Sequence, residues 1–167
     1  IVYAFGQETE ELRHRTGPLT SVRLSAIYFL IAFSVGPLTR LSNTGWLRPL
    51  LANRRYIGLS FALMHTVHLY FIALWVRANP DKFDPVPLWI GGSAYLFMYL
   101  QAITSNDYSV SRLRRYWRWL HNYSTYLLWL VITVTFAGSE SLTAKIYTAF
   151  LLSAMAVRLI AAFKPRT

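Results

Sequence analysis

The stretch from Arg54 to Arg77 constrains the fold of this chain more than any other. Between Arg55 and Arg77 no residue carries a formal charge, and about twenty such residues form a helix that crosses a hydrocarbon core of ~30 Å. Near its middle are His65 and His68, whose spacing places them on one face of a helix. Because polar, metal-binding side chains are costly at bilayer depth, this pair indicates a functional site.

Composition supports a membrane protein. The chain has 167 residues, of which 54% are hydrophobic and 14% charged, and it contains no cysteine. Disulfides, thiolate catalysis and iron–sulfur clusters are thereby excluded. The net charge of +10 comes from arginines at the ends of apolar runs, which is typical of membrane topology signals and not of nucleic-acid binding.

The apolar runs predict an all-α integral membrane protein, a bundle of five transmembrane helices. Gly17–Pro18 is expected to break the chain before the first span, so residues 1–20 form an extracytoplasmic N-terminal segment. Gly36–Pro37 predicts a kink or stop, and Gly91–Gly92 predicts a close helix contact. The predicted helices cover about 21–41, 54–77, 88–104, 113–136 and 142–163.

The basic residues predict the orientation of the bundle. One side of the membrane receives the C-terminal ends of predicted helices one, three and five, and its only acid is Asp107. On the other side of the membrane, cations and acids balance. The positive-inside rule therefore places the arginine-rich loops and the C-terminus in the cytoplasm. The N-terminal segment then lies outside, and since no signal peptide is visible, we expect a sixth helix upstream. The cations of the cytoplasmic side are Arg40, Arg48, Arg54, Arg55, Arg112, Arg114, Arg115, Arg118, Arg158, Lys164 and Arg166.

Three histidines are candidate iron ligands. Imidazole is a common axial ligand of haem, and cofactors of this kind are bound inside helical bundles. His65 and His68 lie on the second predicted helix and His121 on the fourth, whereas His14 belongs to the external segment. A single membrane histidine can equally hydrogen-bond to a hydroxyl on a neighbouring helix, but three on two helices favour a cofactor.

Several short motifs carry a family resemblance. The second helix, with two arginines, Gly58–Leu59 and a later histidine, resembles the signature of the ferric reductase-like transmembrane domain family. Within that family the likeness is to the haem-binding membrane subunit of the bacterial periplasmic methionine-sulfoxide reductase system. The resemblance spans nearly the whole chain in order. Its other motifs are His14-Arg15-Thr16-Gly17, Gly36-Pro37-Leu38, Thr104-Ser105-Asn106-Asp107 and Arg114-Arg115 followed by His121.

The resemblance implies that His68 and His121 are haem b ligands in an electron-transfer bundle of the bacterial inner membrane. The sequence departs from the family at two places. The fourth helix has Val134 and Thr135 where a second histidine is expected, and Arg54 occupies the position of another family histidine. Each bis-histidine pair therefore lacks one member.

Depth along the helices favours a different pairing. At ~1.5 Å per residue, His68 lies ~20 Å beyond Arg55 and His121 ~9 Å beyond Arg115, too different for one iron. His65 reduces the mismatch to ~6 Å, which makes His65 and His121 the more credible pair. Arginine binds carboxylates in bidentate geometry, so Arg54, Arg55, Arg114 and Arg115 are candidates for the haem propionates or for lipid phosphates.

Three functions fit these observations. The first is a b-haem electron-transfer subunit, which is not a complete enzyme because the chain has no flavin- or NAD-binding motif. The second is a cofactor-free structural subunit of a larger membrane complex, motivated by the missing partner histidines. The third is a pigment-binding subunit, since a magnesium porphyrin needs one axial ligand. All three predict the lipid bilayer and other membrane or periplasmic subunits as partners, and no nucleic acid.

Overall fold

A computed structural model describes the backbone of residues 2–42, 44–80 and 85–164, with side chains from 17–42, 44–80 and 89–164. Over this part of the chain it contains seven helices and no strand, which confirms the all-α class. The side chain of His14, loop residues 81–84 and Arg166 lie outside the described residues. The helices are α1 (Val2–Leu41), α2 (Leu47–Ala52), α3 (Arg54–Ala78), α4 (Pro85–Ile103), α5 (Asp107–Leu113), α6 (Arg115–Ala137) and α7 (Leu142–Phe163).

Three helical stretches are long and apolar enough to cross a membrane: Gly17–Leu41, Arg54–Ala78 and Leu142–Phe163. Their composition is that of a membrane protein. The remaining long helices, α4 and α6, have 19 and 23 residues. Three of the five predicted spans therefore coincide with helices that are long and apolar enough to cross a membrane, and the five-span bundle stays a prediction.

The first helix is longer than the sequence predicts. α1 runs from Val2 to Leu41 without interruption, so the break expected at Gly17–Pro18 and the helix start at residue 21 are wrong. A proline inside a helix removes one backbone donor, and membrane helices tolerate this loss where neighbouring groups satisfy the freed backbone.

A second proline, Pro37, is also accommodated within α1, which continues for one more turn to Leu41. Because Pro37 has no N–H, the carbonyl of Phe33 loses its partner within the helix. Nη1 of Arg158 on α7 donates to that carbonyl over 3.2 Å. One turn of α1 is thus completed by a side chain from another helix.

The basic segment before the fourth predicted span is divided between two helices. α5 begins after Asn106, whose side chain accepts a hydrogen bond from the backbone N–H of Ser109 over 2.7 Å. α5 ends at Leu113, and Arg114 adopts a positive φ of 47°, which is uncommon for a bulky residue. The fourth long helix consequently starts at Arg115 and not at residue 113. The predicted loop 42–53 likewise contains the short helix α2.

The core is built around α1, which packs against α3 and α7, while α6 packs against both α4 and α7. The rings of Phe29 and Phe61 lie 5.3 Å apart and join α1 to α3. On the opposite side of α1, Leu151 of α7 is fully buried. The other large core residues include Phe33, Met98, Leu128, Ile132 and Phe136.

Close helix contact occurs at Gly17 and not at the predicted glycine pair. A Cβ atom at Gly91 or Gly92 would meet nothing within 4 Å, so the predicted contact there is wrong. A Cβ at Gly17 would come within 2.8 Å of the Phe71 ring on α3. Gly17 of α1 therefore makes room for the Phe71 ring of α3, on the same part of α3 as His68.

Candidate functional site

His65 and His68 lie side by side on α3 and face α1. Their rings are half-buried, with centroids 5.4 Å apart. Nδ1 of His65 is 3.0 Å from the hydroxyl oxygen of Ser25, and Nδ1 of His68 is 3.2 Å from that of Ser21. We call His65 and His68 the histidine pair, and Ser21 and Ser25 its serines.

The Ser25 hydroxyl oxygen lies between two possible acceptors. It is 2.9 Å from the backbone carbonyl of Val22 and 3.0 Å from Nδ1 of His65. Its single proton can be donated to only one of them. When Val22 accepts that proton, His65 donates from Nδ1 and keeps its lone pair on Nε2.

The same reasoning applies to His68. The hydroxyl of Ser21 donates to the carbonyls of Gly17, at 2.8 Å, or Pro18, at 3.0 Å. When the Ser21 proton is donated to one of these carbonyls, His68 donates its Nδ1–H to Ser21 and keeps a lone pair on Nε2. An imidazole whose Nδ1–H is held by an outer hydrogen bond and whose Nε2 is free is in the state that ligates metals.

Aromatic rings support His65 on its other sides. Tyr95 of α4 stacks on it with a centroid separation of 4.9 Å, and Phe61 lies 5.2 Å away. The Tyr95 hydroxyl donates to the backbone carbonyl of His65 over 3.2 Å. Within the described residues, Nε2 of neither His65 nor His68 has a hydrogen-bond partner, and no buried side-chain nitrogen or oxygen lacks one. Each Nε2 is therefore accessible at the surface of the chain.

His121 lies elsewhere and is contacted at its other ring nitrogen. Its Nε2 is 3.0 Å from the hydroxyl oxygen of Thr104, which is also 2.6 Å from the carbonyl of Leu100. When Thr104 donates to Leu100, His121 donates from Nε2 and keeps its lone pair on Nδ1. Trp117 stacks on the ring at 4.0 Å and donates to the carbonyl of Thr104 over 2.8 Å.

His121 contributes to a cleft of about 360 Å³ between α1, α3, α4 and α6. Arg54 and Arg55 also line this cleft, and we therefore call it the arginine cleft. Nε of Arg54 donates to the carbonyl of Ala32 over 2.8 Å, and Arg55 forms a 3.0 Å ion pair with the exposed Asp107. Apolar residues deeper in the bundle complete the lining, among them Phe29, Phe33, Phe61, Met98 and Leu128.

The other two arginines singled out by the sequence, Arg114 and Arg115, do not line this cleft. Both are exposed at the junction between α5 and α6. Arg115 donates to the hydroxyl of the neighbouring Tyr116 over 3.0 Å and lies over its ring. Their positions suit contacts with solvent or lipid headgroups.

The structure does not bring His65 and His121 together. No hydrogen bond or ring contact joins these two described side chains. The residues that contact them on α4, Tyr95 and Thr104, are nine positions apart, which corresponds to about 13 Å along the helix. The described residues thus offer two imidazoles from one helix, His65 and His68, at one level and His121 at the other, and no pair that faces from two helices at either level.

Sequence reasoning missed the residues that orient the histidines. Ser21 and Ser25 are four apart on α1, and His65 and His68 are three apart on α3, so both pairs occupy one helix face. That matching spacing was available as a signal. The sequence did not show which helices pack together. It singled out Thr104 within a family motif and Arg158 as a cytoplasmic cation, but it did not predict their contacts with His121 and with the carbonyl of Phe33.

Comparison of the chain with models of known protein families, with characterised proteins and with solved structures found no match. The resemblance to the ferric reductase-like family therefore stays a prediction.

Proposed function

We propose that this chain is a membrane electron-transfer subunit that binds haem b through an imidazole of α3. The observation that carries the proposal is that Ser21 and Ser25 contact the two rings at Nδ1, whereas Nε2 of each ring has no hydrogen-bond partner among the described residues. His68 is also the position that the family resemblance assigns to an iron ligand.

The residues present fit a haem held by one histidine, not by two. His65 and His68 share one face of α3. They are far from His121, because the α4 residues that contact His65 and His121, Tyr95 and Thr104, are nine positions apart. The arginines of the cleft lie ten or more residues from the histidine pair along α3, which is about 15 Å or more. The chain therefore separates the free imidazoles from the cations that suit propionates.

The protein residues have defined parts in this proposal. Ser21 and Ser25 fix the orientation and tautomer of the two rings, and Tyr95 and Phe61 limit their rotation. A bound haem would supply the one-electron chemistry. The surrounding apolar helices exclude water. The electron donor and acceptor are other subunits, since this chain has no flavin or nicotinamide motif.

The proposal includes the complete topology. α4 and α6 serve as the two further spans, and the positive-inside rule orients the arginine cleft towards the cytoplasm of a bacterial inner membrane. The histidine pair then lies nearer the opposite face. Protease accessibility of tags placed after α4 and after α7 tests both assignments.

A reduced-minus-oxidised spectrum of the protein purified from haem-sufficient cells tests the cofactor. We expect a b-type α-band that is lost in the double variant His65→Ala/His68→Ala and retained in His121→Ala. Absence of the band from the unmodified protein would refute haem binding. Extraction of a magnesium porphyrin in place of haem would identify a pigment-binding subunit.

A cofactor-free structural subunit is the second candidate. It is favoured by the complete pairing of buried side-chain polar atoms in the described part of the chain, and by the use of both α3 histidines in the contact with α1. The exposed aromatic rings of Tyr116, Trp119, Tyr123 and Tyr126 would then pack on neighbouring subunits. Recovery in a fixed ratio with a larger complex, without porphyrin, would establish this function and exclude the first.

A further inference from the structure

A second cavity lies on the outer surface of α1 and α7, away from both histidine sites. It has a volume of about 340 Å³ and is almost entirely apolar. Its floor includes the buried Val35, Leu47 and Ala154, whereas Trp46 and Phe150 are exposed at its rim. We call it the acyl groove. It is lined by Leu30, Ile31, Ser34, Val35, Leu38, Trp46, Leu47, Leu50, Phe150, Ser153, Ala154 and Val157.

The dimensions of the groove restrict its occupant. From Leu30 to Leu38 it follows α1 for about 12 Å. A single hydrocarbon chain is narrow enough to lie along this length, and the almost entirely apolar lining suits it.

Cations gather at the end of the groove formed by Leu38 and Leu47. Nζ of Lys164 donates to the carbonyls of Arg40, at 3.1 Å, and Leu41, at 3.3 Å, which uses two of its three protons. Arg40 is exposed in the last turn of α1, and Arg48 belongs to α2.

We propose that the acyl groove binds one anionic phospholipid, with an acyl chain along α1 and α7 and its phosphate at Lys164 and Arg40. The apolar lining accommodates the chain, and the basic end selects a negatively charged headgroup. Basic pockets between transmembrane helices are a known way of recognising such lipids. The bound lipid would fill the space that α2 and α7 leave against α1.

Native mass spectrometry of the purified chain, with phosphatidylglycerol or phosphatidylcholine added, tests this site. Ser153→Trp places a large ring in the groove from an exposed position, and Leu152→Trp is the matched control because Leu152 is exposed and does not line the groove. We expect Ser153→Trp to weaken binding of phosphatidylglycerol about tenfold or more, and Leu152→Trp to leave it unchanged.

Headgroup selection is tested separately. In Arg40→Gln/Lys164→Gln we expect phosphatidylglycerol and phosphatidylcholine to bind equally, while Arg112→Gln keeps the preference for the anionic lipid. Circular dichroism checks that each variant is folded. Equal lipid binding by the two tryptophan variants would overturn the proposal. So would an unchanged headgroup preference in the folded double variant, or a protein subunit released by Ser153→Trp while bound lipid stays constant.

Discussion

Two prolines lie within α1, Pro18 near its middle and Pro37 near its C-terminal end, and neighbouring side chains respond to them differently. Near Pro18 the additional hydrogen bonds come from a serine of α1 itself. Near Pro37 they come from arginines of α3 and α7. The first arrangement orients one imidazole, that of His68, and the second joins three helices.

The bonds near Pro18 supplement helical ones. Ser21 donates to the carbonyls of Gly17 and Pro18, which can still accept from the backbone N–H groups four residues later. The consequence of the serine bond is chemical, because it makes the serine oxygen an acceptor for His68. Little of the helix depends on it.

The bond near Pro37 replaces one that is missing. The carbonyl of Phe33 has no helical donor, so Nη1 of Arg158 supplies one. Nε of Arg158 also donates to the hydroxyl of Tyr126 over 3.0 Å, and its guanidinium lies within 5 Å of both ring centroids, at 4.7 Å from Phe33 and 4.8 Å from Tyr126. Arg158 therefore connects α7 to α1 and α6.

Removing this guanidinium should have the largest effect on stability. Arg158→Met leaves the Phe33 carbonyl without a donor in an apolar setting and abolishes two cation–π contacts, a combined cost of about 2–4 kcal/mol. Unfolding in mixed micelles measures it, with Arg112→Met as the exposed control. Equal stability of the two variants would contradict the role assigned to Arg158.

A second substitution separates this cause from a general loss of packing. Pro37→Ala restores the N–H that the Phe33 carbonyl lacks. In the Arg158→Met background it should recover about 1 kcal/mol or more, whereas in the unmodified protein it should add little. A double-mutant cycle measures the coupling. Additive effects would show that the two residues do not share this carbonyl.

Removing the guanidinium of Arg54, which also bonds to α1 near Pro37, should have a smaller effect on stability. Its Nε bonds to the carbonyl of Ala32, which can also accept from the N–H of Gly36, since Gly36 is not a proline. Arg54→Met should therefore cost about 1 kcal/mol, less than Arg158→Met in the same assay. A larger loss for Arg54→Met than for Arg158→Met would reverse our ranking of the two bonds.

These differences show what the sequence could and could not predict. The bounds of α3 and α7 were predicted closely because charged or turn residues flank long apolar runs. The break at Pro18 was wrong because tolerance of a proline depends on tertiary neighbours. The estimated ~6 Å offset of His65 and His121 assumed helices that start level, whereas the stagger is set by the turn at Arg114 and by packing on α4.

The chemistry of the site was predicted in part. The histidines and the cleft arginines could be identified from residue type and position, and three of them, His121, Arg54 and Arg55, do share one cleft. Their tautomers could not be predicted, because each depends on a hydroxyl from a different helix. Single-sequence patterns give the faces of helices but not which faces meet.

Removing the serine hydroxyls should change the histidines more than the fold. In Ser21→Ala and Ser25→Ala the cost is expected to be about 0.6–1.7 kcal/mol, the range of hydrogen bonds between membrane helices. The sharper readout is ¹⁵N NMR of labelled histidine. We expect the unmodified protein to show Nδ1–H signals for His65 and His68, and each alanine variant to shift its own partner towards the Nε2–H form, with Ser→Thr restoring the original signal.

The smallest effect should follow from removing the other proline. Pro18→Ala supplies a backbone N–H near Ser21, but the serine bonds run to the carbonyls of residues 17 and 18, whose atoms remain. The tautomer signal of His68 should therefore stay as it is, and Pro18→Ala should not rescue Ser21→Ala. This contrasts with the rescue expected between Pro37 and Arg158. If Pro18→Ala did restore the His68 signal in Ser21→Ala, the carbonyl freed by Pro18 would have to be part of the histidine site, and the two prolines of α1 would then act in the same way.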